Sequence, residues 1–148
     1  MAYHPYSETL LVPMSDLPAL PGDGDPQPGM YGIDVRDGTI RWQHTRENRC
    51  EKRECFGGLS SAIVSGNDIV VSGSLDGFLE VRSVMDGRLL YSFDSWQEYE
   101  TVNDIPASGG AFDTHGPMLA DNLVVVASGY GSFSGKPGNA LLVFEVQP

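Results

Sequence analysis

The stretch GMYGIDVRDGTIRWQH, from Gly29 to His44, decides the fold class. Apolar and polar residues alternate on both sides of Asp37-Gly38, which is the pattern of strands that bury one face. Asp-Gly between two such runs is a strong signal for a two-residue hairpin turn. The stretch therefore predicts a β-hairpin whose second strand carries the large aromatic residue Trp42.

A looser copy of this hairpin occurs later, as GFLEVRSVMDGRLLYSF from Gly77 to Phe93, with its Asp-Gly turn 49 residues after the first. Three further strand starts align at offsets of 59 and 54 residues, namely Thr9-Leu10, Asp68-Ile69 and Asn122-Leu123. Repeats of about this length with four strands each are typical of propeller blades, because a four-stranded unit has an apolar face that only a neighbouring unit can bury.

We therefore predict an all-β protein, a partial β-propeller of about three antiparallel, four-stranded blades. The predicted blades cover roughly residues 1–48, 56–95 and 107–148 of one domain. Trp42 and Tyr91 occupy matching positions in the two copies, and we expect them to pack between adjacent blades rather than to bind a ligand.

Composition excludes some partners. The chain has 148 residues, with 20 acidic and 9 basic side chains and a net charge of −11, so it should repel nucleic acid. The mixed charges of TRENRCEKRE, residues 45–54, predict a solvated loop. No signal peptide or membrane-spanning segment is visible, so we expect no membrane partner and, if the chain is the complete product, a cytoplasmic location.

The two cysteines, Cys50 and Cys55, are separated by four residues. They can form a loop disulfide in an oxidising compartment or remain free thiols, and the sequence leaves both open. Neither a second cysteine pair nor a histidine pair lies nearby, so we predict no metal site there.

Two glycine-rich loops are the candidate functional segments. In GGAFDTHGP, Gly109 and Gly110 would let the backbone approach a ligand closely, and Asp113 and His115 would act as an acid–base or ligand pair. The alternative is a turn in which both side chains cap backbone donors. The second loop is CFGGLSS, with Gly57 and Gly58 ahead of a predicted inner strand; its alternative is a tight turn.

The hairpin YGIDVRDGTIRW resembles the repeat of quinoprotein alcohol dehydrogenases and other pyrroloquinoline quinone (PQQ) repeat propellers, which reads roughly lyAlDaxTGkxlW. Asp34, Gly38 and Trp42 match that repeat, whereas Ser83 and Tyr91 replace its Asp and Trp in the second copy. The stretch HGPMLADNLVVVASGYGSFSGKPGNALLVFEV is similar to the end of the polyvinyl-alcohol-dehydrogenase-like branch.

The resemblance implies alcohol oxidation by PQQ held near the propeller axis with a calcium ion, and a periplasmic or secreted location. It also implies that Gly57, Gly58, Gly109 and Gly110 face the cofactor and that Trp96 stacks on it, unless Trp96 covers the core. Most of the family's calcium ligands and catalytic residues lie in earlier blades that this chain does not match. We therefore expect the lone chain to bind no PQQ and to be inactive.

The alternative function is a non-catalytic propeller module that binds proteins or assembles with itself. Unpaired strand edges and uncovered apolar faces favour association. Under either reading we predict a homo-oligomer formed through the blade edges, such as a dimer that completes a six-blade ring.

Overall fold

The computed structural model describes residues 1–16, 24–47, 49, 57–113, 115–130 and 135–145, so Cys50 and Cys55 lie outside the described residues. Within these ranges the regular structure is entirely β, which confirms the predicted class, and none of the described segments is a helix that could span a bilayer. The strands are β1 Ala2–His4, β2 Thr9–Met14, β3 Gly29–Asp34, β4 Ile40–Thr45, β5 Val64–Gly66, β6 Ile69–Gly73, β7 Phe78–Ser83, β8 Leu89–Asp94, β9 Glu98–Tyr99, β10 Ala107–Ser108, β11 Met118–Ala120, β12 Leu123–Ser128 and β13 Ala140–Glu145.

Strands that follow one another in the chain are neighbours in space. The first sheet has the order β1-β2-β3-β4 and the second β5-β6-β7-β8, with antiparallel pairing throughout. The third sheet has the order β11-β12-β13 in the described residues, and β9 and β10 form a small separate pair before it. Each sheet is therefore a meander that is complete before the next one begins.

The predicted offset of 49 residues is confirmed in detail. The pairs β3/β7 and β4/β8 match at this spacing, and both hairpins have a register shift at the same place, after Gly32 and after Val81. In the first turn the Asp34 carboxylate accepts a bond from the Arg36 amide, and in the second the Ser83 hydroxyl accepts one from the Met85 amide. Asp and Ser are thus interchangeable here because either side chain can cap the turn.

The predicted alignment of the inner strands is wrong by one residue. Thr9 pairs with Asp34 and Ile69 with Ser83, so the first two sheets are offset by 60 residues here rather than 59. The true equivalent of Asp68 is Glu8, because both have left-handed φ angles, of 61° and 50°. Their carbonyls also accept bonds from matching amides, those of Val84 and Val35.

Two apolar clusters hold the sheets together. The first lies between sheets one and two and includes Leu11, Met30, Val70 and Val84, together with Leu59 from the connecting segment. The second lies between sheets two and three; its buried members are Val71, Leu79, Phe112, Val124 and Val126. The core of the molecule therefore consists of two seams between stacked sheets, rather than one central core.

Trp42 packs in the first seam, as predicted. Its Nε1 donates to the carbonyl of Val84 in the next sheet at 2.8 Å, and its ring lies against Gly87. At the matching position in the second seam, the rings of Tyr91 and Phe144 pack edge to face with their centroids 6.4 Å apart, and Tyr91 remains 48% exposed. An apolar groove of about 610 Å³ lies beside Tyr91, so this seam is less completely filled.

Candidate functional site

The two predicted glycine-rich loops lie at the same end of the sheets, which we call the loop end. There the Leu59 amide donates to the Met14 carbonyl at 3.3 Å, and the Phe112 amide donates to the Ser74 carbonyl at 3.0 Å. Met14 is the last residue of β2, the second strand of the first sheet, and Ser74 directly follows β6, the second strand of the second sheet. The loops are therefore equivalent segments, and each fastens one sheet to the sheet before it.

The structure brings the two loops into direct contact. The hydroxyl of Ser60 donates to Oδ1 of Asp113 at 2.7 Å, with Asp113 partly exposed and Ser60 exposed. His115 lies two residues further along and is exposed. Sequence reasoning missed Ser60, although the repeat could have found it, because Leu59 and Phe112 are equivalent and Ser60 and Asp113 follow them.

Three of the four candidate glycines are required by packing of the protein on itself. A Cβ on Gly109 would lie 1.8 Å from the Ser95 carbonyl oxygen, and one on Gly110 would lie 2.0 Å from that of Lys136. A Cβ on Gly58 would lie 2.6 Å from the Ser15 hydroxyl. The expected close approach of backbone is therefore present, but in the described residues it is an approach to other protein atoms.

Gly57 differs from these three glycines. The nearest atoms to a Cβ built on Gly57 are the Glu47 carbonyl oxygen at 3.7 Å and Oδ2 of Asp76 at 3.9 Å. These are ordinary contact distances, so a side chain would fit there. Of the four glycines, Gly57 alone has room beside it, and it faces a buried carboxylate.

Trp96 also lies at the loop end. Its ring packs on Gly77, where a Cβ would come within 2.2 Å of the indole, and the ammonium group of Lys136 lies 5.8 Å from the ring centroid. Gly77 has a φ of 83°, which suits glycine at a tight turn. The indole thus covers the turn between β6 and β7, and its stacking on a cofactor stays a prediction.

A buried ionic network joins the first and second sheets just below the loop end. Nη2 of Arg46 contacts both oxygens of Asp76 at 2.9 Å, and its Nη1 lies 2.7 Å from Oε1 of Glu80. Arg82 donates to Oε2 of Glu80 at 2.8 and 3.1 Å. The side chains of Arg46, Asp76 and Glu80 are 3%, 1% and 1% exposed.

This network corrects one sequence prediction. Residues 45–54 are predicted to form a solvated loop, and Thr45, Glu47 and Arg49 are exposed, but Arg46 is buried because it reaches across the seam to two carboxylates. Residues 48 and 50–54 of this stretch lie outside the described residues. Arg49 is only partly withdrawn from solvent, with its guanidinium 3.5 Å from Glu80 and 4.6 Å from the centroid of the Phe78 ring.

Burial and pairing act in opposite directions on Glu80. Desolvation alone would raise the pKa of its carboxyl, but the charges of Arg46 and Arg82, the bond from Arg82 and the charge of Arg49 together lower that pKa below 4.5. The carboxylate is therefore ionised in the folded protein at neutral pH. His44 lies near the same network, and its pKa is lowered by burial and by the charge of Arg82.

The comparisons with known proteins agree with this architecture. No family model matches the chain. It is 32% identical over 152 residues to a polyvinylalcohol dehydrogenase of Pseudomonas sp, covering 95% of this chain and 23% of that protein. A polyvinylalcohol dehydrogenase of Sphingopyxis sp. (strain 113P3) is 28% identical over 134 residues, covering 81% of this chain and 20% of the relative. The resemblance to PQQ-repeat β-propellers is thereby confirmed, over part of the length of these relatives.

A solved structure supports the propeller fold of this chain. A europium-containing methanol dehydrogenase matches 94% of the chain and 21% of its own length, with a TM-score of 0.53 and 15% identity. The predicted partial propeller is thereby confirmed. The chain spans about a fifth to a quarter of the length of the curated relatives it matches.

The PQQ-repeat residues that carried the resemblance have structural roles in this chain. Asp34 caps the β3–β4 turn and pairs with Arg36 and Arg41 at 2.7 and 2.6 Å. Hydrogen bonds from Arg36 and Arg41 hold the pKa of the Asp34 carboxyl well below its usual range. Gly38 supplies the positive φ of that turn, and Trp42 packs in the first seam. The motif therefore identifies blades rather than a catalytic centre.

The described residues do not fit a complete PQQ–calcium site. Calcium takes six to eight oxygen ligands. Among the residues described, no three or more His, Cys, Asp or Glu side chains gather around one point. The buried carboxylates of Asp76 and Glu80 are directed at arginines, which compete with a cation for the same oxygens.

Proposed function

We propose that this chain supplies three successive blades of an enzyme that oxidises alcohol groups with PQQ as the electron acceptor, an activity of the complete protein. The observation that carries the proposal is the 32% identity to a polyvinylalcohol dehydrogenase, which extends over 95% of the chain. A polymer or a small molecule bearing secondary hydroxyl groups is the substrate class that this relationship favours.

The loop end is the part of the chain that we assign to the cofactor side. The contact between Ser60 and Asp113 supports this assignment, because it joins two loops into one wall that includes Gly57. In the proposal Gly57, Gly58, Gly109, Gly110 and Trp96 line that wall. Asp113 and His115 remain the candidate acid–base residues of that wall. In the proposal the remaining groups that hold PQQ and calcium come from outside the described residues.

A titration of the chain with PQQ in the presence of calcium tests this function. The chain contains two tryptophans, of which Trp96 lies at the loop end and Trp42 in the first seam. We expect no saturable quenching of tryptophan fluorescence and no dye reduction with polyvinyl alcohol or a small secondary alcohol. Turnover, or quenching that Trp96→Phe removes and Trp42→Phe leaves, would contradict the proposal that the lone chain is an incomplete site.

A non-catalytic module for binding or self-assembly is the second candidate. The observation that favours it is the large amount of exposed apolar surface on the outer faces of the first and third sheets, including Tyr3, Leu141 and Val143. Exposed apolar patches commonly mark surfaces at which proteins associate.

A further inference from the structure

The two seams inside the molecule are built in the same way. We call the face of a sheet that looks toward the next sheet its forward face, and the opposite one its backward face. In the first seam, Leu11 and Met30 of a forward face pack on Val70 of a backward face. In the second seam, forward residues such as Leu79 pack on backward residues such as Val124.

The forward face of the third sheet is uncovered in the structure. Val125 pairs with Met118 and Val143, and Ala127 pairs with Leu141, so these side chains share one face. Met118, Leu141 and Val143 are 56%, 67% and 58% exposed. This face is therefore a continuous apolar surface.

Comparison with the equivalent position in the second sheet shows that such a face is normally buried. Leu141 of the third sheet is equivalent to Leu79 of the second, because each pairs at the same register with the strand before it. Leu79 is 1% exposed and Leu141 is 67% exposed. The same residue type at the same position is thus buried wherever another sheet is stacked on it.

The backward face of the first sheet is the complementary surface, and it is only partly covered, with Leu10, Val12, Tyr31 and Ile33 half-buried. Tyr3 pairs with Leu10, Leu10 with Ile33 and Val12 with Tyr31, which places these side chains on the face opposite Leu11 and Met30. Tyr3 is 53% exposed. The equivalents of Leu10 in the other two sheets are Val70 and Val124, which are 1% and 3% exposed because a sheet covers them.

We propose that the forward face of the third sheet binds the backward face of the first sheet in a second copy of this chain. A second copy fits because the chain exposes one face of each kind, and a two-fold arrangement would cover both kinds in both copies. The resulting ring has six sheets, within the four to eight blades of known propellers. This inference does not depend on alcohol oxidation.

Charge influences how the association should be measured. Each chain carries a net charge of −11, so two copies repel one another at long range. Salt screens that repulsion while leaving apolar contact largely intact. We therefore expect the two-chain assembly to strengthen between about 20 mM and 300 mM salt.

The test is sedimentation velocity over a concentration series at both salt levels. Val143→Glu places a charge in the forward face, and Tyr3→Glu places one in the backward face. Met85→Glu is the matched control, because Met85 is 63% exposed but lies in the β7–β8 turn outside both faces. Circular dichroism checks that each variant keeps its β structure.

The proposal predicts twice the chain mass of 16.0 kDa for the unaltered chain and for Met85→Glu. Either face variant alone should be monomeric, with association weakened by about 100-fold or more, as expected for burying an unpaired charge. Mixing the two face variants should restore a dimer joined through one intact interface, weaker than the unaltered dimer, because each variant retains the face that the other lacks.

Three results would overturn the proposal. They are a monomer at every concentration, an assembly unaffected by both face variants, and a concentration-dependent series of larger species instead of a closed dimer. Binding of PQQ changes none of these readouts, so a failure here is separate from a failure of the proposed enzyme function.

Discussion

Glu80 gives the first seam a buried ionic network, whereas the equivalent described position in the second seam is apolar. Its equivalents are Tyr31 in the first sheet and Leu142 in the third, and Leu142 packs against the apolar cluster of the second seam. A buried carboxylate is costly unless it is paired. One residue in β7 thus requires Arg82 from its own strand and Arg46 from the preceding sheet.

We predict that Glu80→Gln lowers the free energy of unfolding by about 3–5 kcal/mol, because it removes the carboxylate partner of the buried Arg82 and leaves Arg46 with Asp76 alone. Urea unfolding measures the loss. Glu98→Gln is the control, since Glu98 is exposed on β9. A loss below about 1 kcal/mol would mean that the network contributes little, as surface pairs do.

Comparison of the unaltered chain with Glu80→Gln also tests how the stability of the fold depends on pH. The pKa of Glu80 is lowered in the folded state relative to 4.5, so its ion pairs stabilise the fold above pH 4.5 and that stability is lost as the pH falls below it. The difference in unfolding free energy between the unaltered chain and Glu80→Gln should therefore be constant near neutral pH and shrink below about pH 4.5. A constant difference down to pH 3 would contradict the assignment.

The burial of these charges could not be predicted from the sequence. Leu79 and Val81 alternate with Glu80 and Arg82, and in a sheet with one face in water the charged residues would be exposed. In this stack both faces of the second sheet are covered. The alternation identified the strand correctly, but only the partners in the neighbouring sheet decide what happens to its polar face.

At the scale of elements, the two Asp-Gly hairpins have the same turn in different surroundings. Gly38 and Gly87 have φ angles of 76° and 72°. A Cβ on Gly38 would meet nothing within 4 Å, whereas one on Gly87 would lie 2.5 Å from the ring of Trp42. The second turn therefore also serves as the surface on which the first sheet's tryptophan packs.

This pair of turns makes a matched test. Gly38→Ala should cost about 1 kcal/mol, from the left-handed backbone alone. Gly87→Ala should cost a further 1–3 kcal/mol or so, because the added methyl group displaces Trp42 from the seam. Urea unfolding measures both, with Trp42 fluorescence as a second readout for Gly87→Ala. Equal losses would show that the ring moves aside without cost.

Elements marked by a turn dipeptide were predicted best. Asp37-Gly38 and Asp86-Gly87 located two hairpins and their offset, because glycine readily takes the positive φ that each turn needs. The predicted two-residue turns are wrong in length, since residues 35–39 and 84–88 lie between the paired strands. The inner strands were misaligned by one residue because Glu8, a residue that rarely adopts a left-handed conformation, takes the place of Asp68. The third blade was predicted with four strands, and the described residues form three of them.

Over the described residues the molecule is a stack, in which the apolar clusters join each sheet to its neighbours in the chain. Leu79 and Leu141 show the consequence, since they are equivalent but lie at a covered and an uncovered face. The resemblance and the propeller fold could be predicted because the hairpin with its Asp-Gly turn recurs in the sequence after 49 residues. The crowding of Gly109 and Gly110 by carbonyl groups could not, because it depends on segments distant in the chain.

Alanine substitutions at these two leucines separate folding from association. In a Val143→Glu background, which prevents the proposed stacking, Leu79→Ala should lower the free energy of unfolding by about 2–5 kcal/mol. Leu141→Ala should change it by less than about 0.5 kcal/mol, because the side chain is largely exposed. A large loss from Leu141→Ala would mean that this face is covered within the monomer.

The meander order of the strands has a consequence for how the protein is made. All four strands of the first sheet precede residue 46, so that sheet can form while the ribosome is still adding the second. Arg46, which follows directly, then emerges before its partners Asp76 and Glu80 and remains hydrated until they arrive. The first seam closes only after β7 has been synthesised, because Val70, Val84 and both carboxylate partners of Arg46 come later in the chain. Until then the nascent chain keeps a charged group beside the apolar face of its first sheet.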